Sequence, residues 1–241
     1  DRLPDFPWDS LAEAKAKATS HPDGIVDLSV GTPVDPVSPA IQLALTESAA
    51  EPGYPQTKGT LALRKAIVGA MERRFHVTGL DADTQVLPVI GTKEAIAWMP
   101  TLLGLGAGHT VVIPELAYPT YEVSARLAGA DVLRSNSLLK LGPQTPALIY
   151  LNSPANPHGQ VLGVEHLRKF VEFARDRGTI IVSDECYLGL GWGDERPVSI
   201  LDPEVCGGDF TNLIAVHSLS KTSNLASYRA GWLAGDSDLI L

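Results

Sequence analysis

Leu213-Ile214-Ala215-Val216-His217-Ser218-Leu219-Ser220-Lys221 is the stretch of this sequence that decides its fold, and Arg229 follows eight residues after the lysine. The apolar β-type residues predict a buried strand that ends just before Lys221. A lysine that is poorly solvated there has a lowered ammonium pKa, so its neutral amine can attack a carbonyl. Ser218, Ser220 and Arg229 offer the donors that a phosphate needs. The stretch therefore predicts a site for an aldehyde-bearing phosphate ester, of which pyridoxal 5′-phosphate (PLP) is the usual one.

A serine-rich run before a lysine also occurs in exposed turns and helix starts, so the rest of the chain must be weighed. Its 241 residues, 44% hydrophobic and 20% charged, suit one large globular domain with or without a small appendage. The net charge of −9 argues against binding to nucleic acid or to an anionic membrane. Two cysteines predict neither a disulfide framework nor a metal site. Without a signal peptide or a membrane-length apolar run, we expect a cytoplasmic protein.

Apolar runs alternate with helical patterns from Val86 onward, which predicts an α/β fold. The expected architecture is a three-layer α/β/α large domain with a mostly parallel sheet. Strands are predicted at 86–90, 111–113, 147–151, 180–183, 213–216 and 229–234, and helices at 10–19, 41–50, 60–75, 92–103, 120–127 and 164–177. In such sheets ligands gather beyond the carboxyl ends of the strands.

Candidate binding residues follow the first two predicted strands. Gly91-Thr92-Lys93 opens a helix, whose free N–H groups and dipole favour a phosphate, although Thr92 also suits an ordinary helix cap. Tyr118 follows the second strand, where its ring could stack on a planar heterocycle or simply cover a loop. Both segments therefore predict contacts to a flat, phosphorylated ligand.

Two further strand ends carry an amide and an acid. Asn156-Pro157 is a candidate cis peptide in a proline-fixed turn, and the Asn156 amide could donate to a phenolate oxygen. Asp184 ends a buried strand, so its carboxylate needs a cationic partner such as a protonated pyridine nitrogen. Glu185 is the alternative acid, and capping of a helix is the alternative role for Asp184.

Together these motifs resemble the class I/II aminotransferases, which are PLP-dependent enzymes of fold type I. The resemblance rests on the Asn156-Pro157-x-Gly159 turn, the Asp184-x-x-Tyr187 pair and the Ser218-x-Ser220-Lys221 run with Arg229, and it covers residues 25–241. It implies the aspartate aminotransferase fold, with a PLP-binding large domain at 41–241 and an N-terminal arm with part of a small domain at 1–40. The family's C-terminal small domain, with the arginine that binds the substrate carboxylate, would lie largely beyond residue 241.

The resemblance also implies a role for each candidate residue. Lys221 would bind the PLP aldehyde covalently and move a proton, Asp184 would pair with the pyridinium nitrogen, and Gly31 would lie near the substrate carboxylate. Asn156 and Tyr187 would bind the phenolic oxygen, and Tyr118 would stack on the ring. The phosphate would be held by Thr92, Lys93, Ser218, Ser220 and Arg229, joined by Tyr54 from the neighbouring subunit of a homodimer. Ser227 replaces a glycine that is frequent in relatives, which would strain a backbone with positive φ.

At finer resolution, residues 28–36, 89–94, 114–121 and 183–192 resemble actinobacterial-type N-succinyldiaminopimelate aminotransferases. This implies conversion of N-succinyl-2-amino-6-oxopimelate and glutamate into N-succinyl-LL-2,6-diaminopimelate and 2-oxoglutarate, in lysine and diaminopimelate biosynthesis. The alternatives are another amino-acid aminotransferase, of the aspartate or LL-diaminopimelate type, a PLP β-lyase, or a regulatory module with a PLP fold. The expected partners are amino-acid and 2-oxo-acid substrates.

Overall fold

The structure, a computed structural model, describes residues 3–5 and 8–240, so residues 1, 2, 6, 7 and 241 of the predicted arm and domain lie outside the described residues. Its elements in chain order are α1 (Ala12–Thr19), α2 (Pro39–Ser48), α3 (Leu61–Phe75), β1 (Val86–Ile90), α4 (Thr92–Leu102), β2 (Thr110–Ile113), α5 (Pro119–Ala128), β3 (Asp131–Arg134), β4 (Leu148–Asn152), α6 (Val164–Arg177), β5 (Ile180–Asp184), α7 (Pro203–Cys206), β6 (Leu213–Ser218), α8 (Leu219–Thr222), β7 (Ala230–Gly235) and α9 (Ser237–Ile240).

All the described strands join one seven-stranded sheet in the order β1-β7-β6-β5-β4-β2-β3. The contacts of β2 with β3 and β4, of β4 with β5 and of β5 with β6 are parallel. By contrast, β7 runs antiparallel to both of its neighbours, β1 and β6. The prediction of a mostly parallel sheet is therefore confirmed, with β7 as the strand of opposite direction.

Local sequence explains where the main helices begin and end. Thr60 caps α3 by accepting a hydrogen bond from Leu63 N at 3.1 Å, and Pro119 opens α5 at a position where its missing N–H costs nothing. Gly178 ends α6 in the left-handed conformation that a residue with a Cβ rarely adopts. Along α6, Leu167, Phe170, Val171 and Ala174 are buried at helical spacing, so one face of this helix packs on the sheet.

Helices cover both faces of the sheet, which confirms the three-layer α/β/α architecture. On one face, buried residues of α3, α6 and α7 form a core with strand residues such as Ile181 and Leu213. On the other face, Ile96 of α4 and Tyr121 of α5 pack with strand residues such as Val182. Alternate residues of each strand point to opposite faces, so a single strand contributes to both cores.

The differences from the predicted elements lie at short or polar segments. The sequence pattern did not predict β3 or the one-turn helices α7, α8 and α9, and β7 begins at Ala230 rather than at Arg229. The helices α1 and α2 contain no buried residue. Among the described helices, none combines the length and the apolar character that a membrane crossing requires.

Candidate active site

One edge of the sheet gathers most of the predicted site residues. The strands β1, β2, β4, β5 and β6 share one direction, so their carboxyl ends meet at this edge. Because β7 runs the other way, its amino-terminal end lies at the same edge. The residues that this topology brings together are Thr92, Tyr118, Asn156, Asp184, Tyr187, Ser218, Ser220, Lys221 and Arg229.

Asp184 is a buried carboxyl group held by two hydrogen bonds. Its side chain accepts from the Tyr121 hydroxyl at 2.7 Å and from Cys186 N at 3.2 Å. Burial raises the pKa of Asp184 above its usual value, against these hydrogen bonds and the charge of His217, which lower it. Among the described residues, no ion pair involves Asp184, and His217 pairs with Glu185 instead. The residues that follow Asp184 form a turn rather than a helix, so it does not cap a helix. A buried carboxyl group without an ion-pair partner is suited to a cationic ligand.

Tyr121 is the residue at this site that sequence reasoning missed. It is fully buried, its ring stacks on Tyr150 with centroids 4.8 Å apart, and it meets Tyr118 edge-on at 5.7 Å. Burial, with the charge of Asp184, raises the pKa of the Tyr121 phenol well above its ordinary value, so it stays protonated as a donor. Tyr118 and Tyr121 lie three residues apart at the start of a helix, and this spacing was the available signal.

The turns after β4 and β5 are joined through side-chain amides. Asn152 donates to the Asp184 carbonyl at 3.0 Å and accepts from Asn156 N at 2.6 Å. Burial raises the pKa of Tyr187 to about 12, while a side-chain hydrogen bond with Asn156 lowers it. The peptide bonds Ser153-Pro154 and Asn156-Pro157 are both cis, the second as predicted. Asn156 and Tyr187 thus lie together beside Asp184.

The amino-terminal end of α4 meets the beginning of β7. Gly91 has a φ of 83°, and a Cβ at this position would overlap the guanidinium of Arg229, so only glycine leaves the arginine its place. Arg229 donates to the Ala226 carbonyl at 2.7 Å and lies 3.3 Å from the Glu94 carboxylate. The neighbouring residue Thr92 contacts the turn after β5, with its Oγ1 3.5 Å from the Cys186 sulfur. We call Gly91, Thr92 and Arg229 the arginine cradle.

Lys221 connects the end of β6 with the N-terminal segment. Ser218 caps α8, its Oγ accepting from Ser220 N at 3.0 Å, and Lys221 follows in the same turn. The Lys221 ammonium donates to the carbonyl oxygen of Gly31, so these two candidates lie in contact although they are far apart in sequence.

The remaining candidates are exposed. The side chain of Tyr54 is fully exposed, and Lys93 is exposed on the first turn of α4. Ser227 lies in a short 3₁₀ turn, and the residue with positive φ is Arg229, at 54°. The strain considered for serine at position 227 therefore does not arise in this conformation.

The comparison with known families agrees with this geometry. The family model for aminotransferase class I and II matches residues 23–241. The chain belongs to this family. Class I and II aminotransferases depend on PLP, which accounts for a lysine, a buried acid and an arginine cradle at one sheet edge.

Similar proteins include several aminotransferases. This chain is 66% identical to "Probable aminotransferase Rv1178" of Mycobacterium tuberculosis, over 99% of this chain and 56% of that protein. It is 53% identical to 4-dedimethylamino-4-oxo-anhydrotetracycline transaminase OxyQ of Streptomyces rimosus, over 99% of this chain and 66% of OxyQ. The solved N-succinyldiaminopimelate aminotransferase of Mycobacterium tuberculosis superposes with a TM-score of 0.81 at 25% identity, covering 99% and 65% of the two chains. This chain therefore spans between about half and two thirds of the length of these relatives.

Proposed function

We propose that this aminotransferase catalyses PLP-dependent transamination, with N-succinyl-2-amino-6-oxopimelate as amino acceptor and glutamate as amino donor. The observation that carries the reaction class is the buried Asp184 carboxyl, which is held by hydrogen bonds, forms no ion pair among the described residues, and lies at the same edge as Lys221 and Arg229. A pyridinium nitrogen supplies that cation, an aldehyde suits the lysine amine, and a phosphate suits the arginine cradle.

The residues around the ring position would hold and orient the cofactor. When bound, PLP supplies an electron-withdrawing ring that stabilises negative charge on the substrate carbon. Asp184 would keep the proton on the ring nitrogen, and Tyr121 would hold the carboxylate in place. Asn156 and Tyr187, which lie together, would donate to the phenolic oxygen, and Tyr118 would stack on the ring.

Lys221 would hold the cofactor at its aldehyde carbon until the substrate amine takes its place there. The freed Lys221 amine would then carry a proton between the substrate Cα and the carbon C4′ of the cofactor. Its contact with the Gly31 carbonyl places the amine beside the segment proposed to receive the substrate carboxylate. The phosphate would be bound by Arg229, which would exchange Glu94 for the more highly charged anion. Its other proposed ligands are Thr92, Lys93, Ser218 and Ser220, and Tyr54 of a second subunit.

The domain bounds, the homodimer and the cellular location are proposals as well. Residues 41–241 would form the PLP-binding large domain, and residues 1–40 the arm and part of the small domain. The full exposure of Tyr54 supports a homodimer in which this side chain reaches the partner's phosphate site. The cytoplasmic location stays a prediction, the β-lyase and the regulatory module stay alternatives, and the acceptor panel below decides between the proposed acceptor and the aspartate and LL-diaminopimelate types.

Chemical trapping tests the reaction class. Borohydride reduces an imine and so fixes the cofactor to the lysine that carries it. We expect treatment of the full-length PLP-loaded protein to give one labelled peptide, with the label on Lys221. Peptide mapping by mass spectrometry measures this. A label on another lysine, or no label on a protein that binds PLP, would remove the assignment.

An acceptor panel with the full-length enzyme tests the substrate. With glutamate as donor, we expect kcat/KM for N-succinyl-2-amino-6-oxopimelate to exceed that for oxaloacetate, prephenate and unsuccinylated 2-amino-6-oxopimelate by about tenfold or more. A polycyclic ketone belongs in the panel, because the name of OxyQ describes such a substrate. OxyQ is 53% identical to this chain, whereas the solved N-succinyldiaminopimelate aminotransferase is 25% identical. Preference for that ketone would replace the proposed acceptor and keep the reaction class.

A further inference from the structure

A second acidic residue, Glu185, lies beside Asp184 but points to the other face of the sheet. Its Oε2 is 2.9 Å from Nε2 of His217, and both side chains are almost completely buried, with 1% and 3% of their surface exposed. The two atoms are close but poorly aligned, and neither has a hydrogen-bond partner among the described residues. Their attraction is therefore electrostatic when the imidazole is protonated, in surroundings that screen it little.

Each member of this pair is fixed by further contacts. His217 stacks on Trp232 of β7, with ring centroids 5.3 Å apart and planes 6° apart, and lies 5.0 Å from the Phe75 ring of α3. The other carboxylate oxygen of Glu185 accepts from Ile200 N at 2.8 Å. The imidazole is thus packed between two aromatic rings. Glu185 connects it to Ile200, at the far end of the loop that begins at Cys186.

The pair connects the two segments that carry the proposed chemistry. Glu185 lies between Asp184 and Tyr187 in the turn after β5, and its backbone N donates to the Val216 carbonyl at 2.9 Å. His217 lies in β6, four residues before Lys221. A shift of Glu185 would therefore move Tyr187 within that turn, and the neighbouring Asp184 at the end of β5, relative to the lysine.

We propose that Glu185 and His217 are positioning residues, whose buried contact fixes the turn that follows Asp184 and carries Tyr187 relative to the strand that leads to Lys221. This inference rests on the proposed function, because it assigns the turn to cofactor binding. Neither residue lies on the Asp184 face of the sheet, where the cofactor would bind, so their effect on it is through the turn.

A set of matched variants tests the proposal in the full-length protein. His217→Phe keeps an aromatic ring between Trp232 and Phe75 but leaves the Glu185 carboxylate buried without a partner. The double variant Glu185→Gln/His217→Phe removes that charge, while an amide oxygen can still accept from Ile200 N. Val171→Ala removes buried methyl groups from α6 and is the control for a general loss of stability.

Two measurements distinguish positioning from stability. Hydrogen exchange of residues 186–200 is followed in the cofactor-free protein, and the PLP dissociation constant is measured by absorbance titration. For His217→Phe we expect faster exchange in this segment and a dissociation constant about tenfold higher, with partial recovery in the double variant because coupled residues are not additive. Val171→Ala should change neither measurement beyond its effect on global unfolding.

Each outcome decides the proposal. If His217→Phe resembles Val171→Ala in both measurements, the pair is only structural and the proposal is overturned. If His217→Phe does not fold, Glu185→Gln alone should show the same local exchange and a smaller loss of PLP affinity, and wild-type values in that variant overturn the proposal. Failure of the wild-type protein to trap PLP would instead remove the proposed function, while the exchange measurement would still test the fixing of the turn.

Discussion

Replacing Lys221 with alanine should lower the rate of transamination by roughly 10⁴-fold or more, because one amine would both bind the cofactor and transfer the proton. The remaining contacts to the cofactor do not depend on this amine. Asp184, Asn156, Tyr187 and the arginine cradle should therefore still hold PLP without a covalent bond, and added PLP should remain after gel filtration. Steady-state turnover with glutamate, together with an absorbance spectrum, measures both effects.

A second lysine provides the control for Lys221→Ala. Lys169 is exposed on α6, so Lys169→Ala should leave turnover within about twofold of wild type, as expected for a surface site. Turnover of Lys221→Ala at the wild-type rate, in protein shown by mass spectrometry to carry the substitution, would rule out Lys221 as the catalytic base.

Replacing Asp184 with asparagine should lower kcat by about 10²–10³-fold, the size found when one electrostatic partner of a reacting centre is removed. Asparagine has nearly the same shape as aspartate and can accept a hydrogen bond from the Tyr121 hydroxyl. It has no negative charge, however, to keep a proton on the ring nitrogen of the cofactor. The affinity for PLP should fall as well. Tyr121→Phe leaves the carboxylate charged but less firmly held, so its loss of rate should be smaller and in the same direction.

Although Asp184→Asn should weaken catalysis and PLP binding, it should stabilise the cofactor-free protein at neutral pH. Because burial raises the pKa of Asp184, the folded state binds a proton more tightly than the unfolded state, and its stability falls as pH rises through the folded pKa. Above that pH, Asp184→Asn should raise the melting temperature of the apoprotein, and the gain should vanish as pH falls below about 4, the ordinary pKa of an aspartate.

A buried aspartate away from the site is the control for Asp184→Asn. Asp202 is 3% exposed and caps α7 by accepting from Glu204 N at 2.9 Å. Asp202→Asn should change neither PLP affinity nor kcat. If Asp184→Asn transaminates as fast as wild type, the carboxylate does not act on the cofactor, and the reaction class loses its main support.

Periodicity in the sequence was sufficient to predict the bounds of the elements that have clear apolar patterns and glycine residues at their ends. The bounds of β1 and α6 were predicted to the residue, since Gly91 ends the first and Gly163 and Gly178 flank the second. By contrast, β3 has only Val132 and Leu133 between charged residues and pairs with a single strand, so its local pattern is too weak to predict a strand.

Contacts across the sheet could not be predicted in the same way. The strand end at Asp184 was evident, but its bond to Tyr121 depends on how α5 packs over β5, which no local pattern encodes. The apolar run of β7 looks the same in either direction, so the sequence did not indicate that this strand is antiparallel. The left-handed backbone of Arg229 likewise depends on the turn that reverses the chain before β7.

The place of β1 at the edge of the sheet has a consequence for the order in which the protein is assembled. Its neighbour is β7, at residues 230–235, whereas β1 itself ends at residue 90. At about 5 to 20 residues per second, a ribosome needs roughly 7 to 28 seconds to synthesise the residues between them. Closing so long a loop costs more conformational entropy than pairing neighbouring segments. Thr92 and Arg229 can therefore meet only after β7 has been synthesised, and until then β1 has no neighbouring strand in the sheet.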